Sequence, residues 1–251
     1  MKLNFKNKNI FVTGSSKGIG FDIAKSFSYQ GANVVINSRV PEDCEKAVKY
    51  IKNSNYVCGD MSNPSEVELV FKKVLEFLGS LDVLVCNVGN GKSALPGNEV
   101  MQDWKNMFDL NFYSTVHSID AARPFLKKSQ GNIVCISSIC GHETIKGAPI
   151  SYSVSKAALN SYIKGMAWPL SKENIRINAV SPGNINFVGS SWDKKLESKK
   201  ETIKNMLFSE VPQNRFGTTS EIASSVLFLA SENSSFTTGS ILVVDGGQLR
   251  N

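Results

Sequence analysis

The feature of this 251-residue chain that most limits its fold is a rhythm, in which short β-branched apolar runs alternate with longer amphipathic stretches from end to end. That alternation predicts βαβ units on a parallel sheet, each strand being followed by a helix that covers it. Seven runs read as strands: Asn9–Val12, Asn33–Asn37, Tyr56–Cys58, Leu81–Cys86, Asn132–Ile136, Ile175–Val180 and Ile241–Val244. The central ones, LDVLVC and NIVCI, are almost continuously apolar, as strands covered on both faces should be. Helix punctuation agrees: Gly31 follows the first helix, and Asn63-Pro64 open a helix that stops before Gly79. The expectation is an α/β fold, a single doubly wound domain over residues 1–251 with a seven-stranded parallel sheet and helices on both faces. Residues 184–210, rich in Lys, Ser and Asn, break the rhythm and read as an excursion over a binding site.

Composition excludes several classes. With 41% hydrophobic and 20% charged residues, the chain can bury about 70% of its unfolded surface and needs no covalent staples. No apolar run reaches the roughly 18 residues of a membrane helix, and MKLNFKNKNI has no secretory apolar stretch, so a cytoplasmic protein with no membrane partner is expected. Five cysteines without a CxxC pair read as reduced core thiols, and His117 and His142 alone make a metal centre improbable. The net charge of +6 comes mainly from scattered lysines, without the compact Arg-rich stripe of a nucleic-acid surface.

In such sheets ligands sit beyond the carboxyl ends of the strands, where strand order reverses. The first strand runs into Thr13-Gly14-Ser15-Ser16-Lys17-Gly18-Ile19-Gly20 and then a helix. Three glycines there allow a tight turn and close approach of a diphosphate, which the helix N-terminal amides would hold. This is a Rossmann-type arrangement, although the spacing is G-x-x-x-G-x-G. At the end of the second strand, Asn37-Ser38-Arg39 stands where an NAD-binding chain usually carries a carboxylate for the ribose. A cation beside a hydroxyl suits a 2′-phosphate, with Lys17 in reach, so NADP(H) is preferred over NAD(H); the alternative is that both cations are ordinary solvated charges.

Tyr152 and Lys156 lie one helical turn apart, just after a strand ending in Ser137-Ser138. A tyrosine with a free pKa near 10 becomes a better acid when a cation stabilises its phenolate, and an ammonium at about 4 Å would attract it by about 4 kcal/mol before desolvation. Such a phenol could protonate a carbonyl oxygen, with Ser138 polarising that oxygen.

TGSSKGIG, Asp60, Asn87-Val88-Gly89, Asn111, Ser138, Tyr152-x-x-x-Lys156, Ser181-Pro182-Gly183 and TGSILVVDGG follow one another in an order that resembles a classical short-chain dehydrogenase/reductase over nearly the whole chain. The resemblance implies Tyr152 as general acid/base, Ser138 as its aid, Lys156 also on the nicotinamide ribose, and Asn111 on a proton-relay water. It implies that Gly14, Ser16, Lys17, Gly18, Ile19, Gly20, Ser38, Arg39, Asp60, Met61, Asn87, Val88, Gly89, Pro182, Gly183 and Ile185 line the cofactor, with Asp60 near the adenine. A homotetramer or homodimer is implied as well. The closing half is similar to bacterial 3-oxoacyl-[acyl-carrier-protein] reductases, which makes fatty acid metabolism and a carrier-bound acyl substrate an expectation.

Several positions depart from that pattern. Val88 is bulkier than the alanine common there, and Ser138 and Tyr152 are fourteen apart where thirteen is usual. Phe187 occupies the place of a threonine that binds the carboxamide. The positions of two carrier-docking arginines are Ser129 and Glu173, with Lys127, Lys128 and Lys172 near enough to compensate. Pro169 predicts a kink or early end to the helix after Tyr152, and Lys194 to Lys204 a solvated helical face. A carbonyl reductase or secondary-alcohol dehydrogenase leads, acting on 3-oxoacyl thioesters or on sugars, polyols or cyclic ketones. A non-catalytic nucleotide-binding sensor or scaffold is the alternative.

Overall fold

A computed structural model describes residues 3–250. Among them, seven strands form one parallel sheet in the order β3-β2-β1-β4-β5-β6-β7. The strands are β1 (Asn9–Val12), β2 (Asn33–Ser38), β3 (Ser54–Cys58), β4 (Val83–Cys86), β5 (Asn132–Ile136), β6 (Arg176–Pro182) and β7 (Ile241–Val244). Strand order reverses between β1 and β4, so the crevice beyond their carboxyl ends is where a ligand is expected.

Alternation along the strands supplies two cores. Ile10, Val12, Val83 and Val85 face α1 (Gly18–Tyr29), α2 (Pro41–Val48) and α8 (Thr219–Ala230), joining Ile23, Phe27, Cys44, Ile222 and Val226. Phe11, Leu84 and Cys86 point the other way, into a core with α3 (Pro64–Leu78), α5 (Ser114–Ser129) and α6 (Ile150–Ser171) that contains Val67, Phe71, Ile119, Leu126, Leu159 and Ile163. Each such fully buried side chain contributes about 1.5–3 kcal/mol. Because both faces are covered, mid-strand positions are mostly apolar, and the exception Asn178 in β6 is buried with both ends of its amide hydrogen-bonded, to the Thr237 carbonyl and from the Ser240 amide.

The boundary signals act as expected at α3: the Asn63 side chain accepts from the Ser65 amide, Pro64 opens the helix, and Gly79 ends it at φ +72°. Gly31 follows α1 at φ +87°. Four strands differ in their limits from the sequence reading. β4 begins at Val83 rather than Leu81, because the Asp82 carboxylate turns to accept from the Asn9 amide at 2.8 Å and from Lys8 at 3.1 Å. β3 begins two residues early, where Ser54 pairs with Val34; β2 runs one residue longer; β6 is shifted to end on Pro182, opposite Val244. The helix carrying Pro169 continues to Ser171, so the proline falls in its last turn, where it removes the amide that would bond the Gly165 carbonyl and the helix ends two residues later.

The stretch after β6 leads into α7 (Ser191–Glu210), which departs from helical angles at Lys199. Ser190 caps it by accepting from the Asp193 amide at 3.0 Å. Its inner side packs Ile203 and Leu207 with Trp192 and Phe216, and most of its lysines are exposed. All five cysteines are free thiols, and no helix among the described residues is long and apolar enough to cross a membrane.

Candidate active site

The glycine-rich turn is built from both neighbouring strands. Asn37, buried at the end of β2, accepts from the Gly14 amide and donates to the carbonyls of Val57 and Gly59, while the Ser15 amide donates to its carbonyl at 2.8 Å. From β4, Asn87 donates to the carbonyls of Thr13 and Gly14 at 3.2 and 2.7 Å. Gly14 and Gly18 sit at φ +58° and +60°, which side chains other than glycine resist. Val88 fits because Gly14 has no side chain: a Cβ there would lie 3.0 Å from Val88 Cγ2. A Cβ on Gly20 would lie 2.4 Å from Asn87 Nδ2, so that glycine serves helix-to-strand contact.

The turn is suited to a diphosphate. No side chain caps the N-terminus of α1 behind Lys17, and no acidic residue lies in its first turn, so its leading amides are left for an anion or water. The neighbouring cations are partly engaged. Arg39 donates to Asp60 at 3.2 Å and Lys17 lies 3.9 Å from Asp43, yet both side chains are mostly exposed. Asp60 also accepts from the Ser62 amide and hydroxyl; burial opposes its ionisation, but Ser62 and Arg39 outweigh it and hold the carboxyl below its ordinary range. Met61 turns its side chain into the core, leaving only its backbone toward the crevice. Ile19 packs against the core beneath the turn. Ser38 accepts from the Val40 amide, and Ser16 lies within the turn itself.

Across the crevice, Ser138, Tyr152, Lys156 and Asn111 come together around residues 89–91. Asn111 is fully buried in a π-helical segment, Asp109–Tyr113, between α4 (Met101–Phe108) and α5. This wide turn sets the amide inward: Oδ1 accepts from the Asn90 amide at 3.0 Å, and Nδ2 donates to the carbonyls of Asn90 and Met107. A Cβ on Gly89 would lie 2.6 Å from Asn111 Oδ1 and 3.3 Å from Lys156 Nζ, and one on Gly91 3.6 Å from the Tyr152 ring. The two glycines thus let one loop pass between the three side chains.

Ser138 is 8% exposed and opens a short 3-10 turn, accepting from the Cys140 amide at 3.2 Å. With an oxygen lone pair so occupied, its proton is free to donate toward the crevice. That turn is pressed onto α6, since a Cβ on Gly141 would lie 2.7 Å from the Lys156 carbonyl, and Asn160 ties the two by donating to the Gly141 carbonyl and accepting from Ser137. The extra residue between Ser138 and Tyr152 falls in the loop before α6, which starts with Glu99 accepting from the Ser151 amide at 3.0 Å.

Lys156 was expected to pull the Tyr152 phenol below its ordinary pKa. Instead burial dominates and pushes the phenol up to about 12, with the Ser138 hydroxyl working the other way and losing. The ammonium donates to the Ile136 carbonyl at 2.9 Å, and burial lowers it to about 8. Carrier docking also gains little from the geometry. Glu173 accepts from Arg123 at 2.9 and 3.1 Å and pairs with Lys127 at 3.7 Å, Lys172 lies over the Trp168 ring, and Ser129 donates to the Leu81 carbonyl. The lysines that might replace the missing arginines are therefore largely engaged, Lys128 excepted.

Pro182 ends β6, and Gly183 lies so close to Asp245 that a Cβ would come within 2.8 Å of its Cα. Ile185 bridges to Gly217. Asn37, Asn160, Glu99 and Gly141 are site-building residues that the sequence reading passed over. Only Asn37, beside the expected Ser38, carried a positional hint.

A family model described as enoyl-(acyl carrier protein) reductase matches residues 14–248. The 3-oxoacyl-[acyl-carrier-protein] reductase FabG of Chlamydia muridarum is 35% identical over 249 residues, covering 96% of this chain and 97% of its own. Glucose 1-dehydrogenase 2 of Bacillus subtilis is 32% identical, covering 98% and 96%. Among solved structures, L-sorbose reductase from Gluconobacter frateurii, complexed with NADPH and L-sorbose, superposes with a TM-score of 0.94 at 29% identity over the whole of both chains. A 7α-hydroxysteroid dehydrogenase complexed with NADH and 7-oxoglycochenodeoxycholic acid gives 0.90 at 29% identity, covering 99% and 97%. The chain therefore belongs to the short-chain dehydrogenase/reductase family, oxidoreductases acting on CH–OH and C=O groups, and is similar to 3-oxoacyl-[acyl-carrier-protein] reductases.

Proposed function

We propose that this protein is an NADP(H)-dependent oxidoreductase that interconverts a carbonyl and a secondary alcohol. The observation that carries the reading is the meeting of Asn111, Lys156 and Tyr152 around Gly89 and Gly91, beside Ser138. Bound nicotinamide supplies the hydride for reduction. Tyr152 donates the proton to the carbonyl oxygen: its phenol is protonated at neutral pH, and the Ser138 hydroxyl works against the burial that makes it a weaker acid. Ser138 donates a hydrogen bond to the same oxygen and stabilises charge as it develops. Lys156, with its pKa near 8, is mostly protonated at pH 7 and stands ready to return a proton, while Asn111 holds the loop at Asn90 and positions a relay water.

Gly14, Ser16, Lys17, Gly18, Ile19 and Gly20 would hold the diphosphate. Ser38 and Arg39 would take the 2′-phosphate, and Asp60 and Met61 the adenine side. Asn87, Val88, Gly89, Pro182, Gly183 and Ile185 would line the nicotinamide side, with residues 184–210 covering the substrate. The exposed Arg39 and Lys17 and the NADPH complex of the sorbose reductase favour NADP(H); the NADH complex of the hydroxysteroid dehydrogenase keeps NAD(H) second. A homotetramer or homodimer is supported by Tyr113, which ends the π-helical segment before α5, and Trp168 of α6, large side chains that are exposed.

Two substrate classes stand. Similarity to the Chlamydia reductase supports 3-oxoacyl thioesters. The engagement of Arg123 and Lys127 by Glu173, together with the glucose and sorbose relatives, supports a sugar or polyol whose recognition needs no acidic carrier. Loss of NADPH absorbance with a panel of 3-oxoacyl thioesters, ketoses and cyclic ketones decides between them; no oxidation of NADPH or NADH with any carbonyl would favour the non-catalytic alternative and reject the reading.

A further inference from the structure

Phe187 lies directly on the glycine-rich turn. A Cβ built on Gly18 would be 2.6 Å from Phe187 Cζ and 2.7 Å from Cε2, so the ring covers the open side of the glycine that a diphosphate would approach. This placement is held from both sides in the chain. Ile185 bridges to Gly217, with the Asn186 amide donating to the Gly217 carbonyl at 3.1 Å and the Gly217 amide to Asn184 at 2.9 Å. On the other side the Ser190 amide donates to the Phe187 carbonyl at 2.9 Å, and the Ser190 hydroxyl to Asn186 Oδ1 at 2.8 Å. The ring packs against the core beneath α1, whereas its neighbour Val188 is 94% exposed. A large apolar side chain is thus partly buried on a surface whose backbone amides otherwise suit an anion, and its apolar neighbour is left in water.

We propose that Phe187 is a built-in plug of the dinucleotide site, its ring seated over Gly18 and competing with the cofactor diphosphate for the same space. The inference rests on the reading of the glycine-rich turn as a nucleotide site. Ring and diphosphate exclude each other, so the cofactor binds only the fraction of molecules in which the ring has rotated away, and the apparent dissociation constant is raised by the inverse of that fraction. The backbone need not move, because χ1 and χ2 of one side chain suffice. Trp192, at the start of α7, is tilted against Phe216 and lies under Lys195, which gives the titration a fluorescent reporter near Phe187.

The test is NADPH titration of the full chain, followed by calorimetry and by Trp fluorescence, for the unaltered protein, Phe187→Ala and Phe187→Leu, with adenosine 2′-monophosphate as a probe that does not reach Gly18. The expected result is NADPH binding about tenfold tighter in Phe187→Ala and by a smaller factor in Phe187→Leu, with the affinity for adenosine 2′-monophosphate the same in all three. Equal or weaker NADPH binding in both variants, with the unaltered protein binding normally, overturns the plug. Absence of NADPH and NADH binding in all three proteins, with native circular dichroism, overturns the nucleotide-site reading on which it rests. In stopped-flow mixing, the unaltered protein should show an association rate that saturates with NADPH concentration, and Phe187→Ala one that rises linearly; saturation at the same rate in both also overturns the plug.

Discussion

Replacing Lys156 by methionine removes a buried charge while keeping most of the side chain's length. Lys156 is 3% exposed, and burial takes its pKa from the ordinary 10.5 down to about 8. The unfolded chain therefore keeps this proton up to about pH 10.5, while the folded chain releases it near 8. Below 8 both states are charged and the full cost of burying the ammonium weighs on the fold. Between the two values the unfolded state binds more protons, so stability rises with pH. Between pH 7 and 10 the unaltered protein should gain about 2–3 kcal/mol relative to Lys156→Met, which has nothing to titrate there. Urea unfolding of both proteins at pH 7, 8, 9 and 10, followed by circular dichroism, gives the difference directly. Other titrating groups, Tyr152 among them, are common to both and cancel to first order. A difference that stays constant within about 0.5 kcal/mol would refute the claim that the lysine lies in a site where burial governs its charge.

Arg39→Ala should weaken NADPH about tenfold and NADH less than twofold, as charge-assisted contact with one extra phosphate would require; equal losses in fluorescence titration would remove Arg39 from coenzyme choice. Asn111→Ala leaves the Asn90 amide and carbonyl without their partner and should cost about 2–4 kcal/mol in urea unfolding, together with most of the turnover. A variant as stable as the parent would show that the π-helical segment holds its loop by other means. Glu173→Gln should release Arg123 and Lys127 and raise kcat/KM for a carrier-bound 3-oxoacyl substrate several-fold while leaving a small thioester unchanged. No rise with the carrier, in a protein that reduces the small thioester, would count against carrier docking at this face.

What could be read from the chain was what local physics governs. The alternation of apolar runs, the Asn63-Pro64 and Gly79 signals and the glycine turn act within a few residues, and the strands and α3 follow them closely. Leu81 was drawn into β4 because it is apolar, although the Asp82 carboxylate beside it is engaged 73 residues away at Asn9. The site was legible as a set of residues but not as an electrostatic balance. Spacing puts Tyr152 and Lys156 on one face; it does not reveal that the ammonium has the Ile136 carbonyl as its partner, nor that burial outweighs charge at the phenol. The π-helical turn at Asn111, the Glu99 contact at the start of α6 and the ring of Phe187 over Gly18 depend on segments that meet only in the folded chain, and no local pattern announces them.

The central claim is that the Tyr152 phenol gives its proton to the substrate oxygen. Single-turnover reduction of the best carbonyl substrate by pre-bound NADPH, compared between the unaltered protein and Tyr152→Phe, tests it most directly. The account predicts NADPH affinity within about twofold and a reduction rate lower by about 10²–10⁴. A Tyr152→Phe protein that binds NADPH and reduces the substrate at an undiminished rate would contradict it.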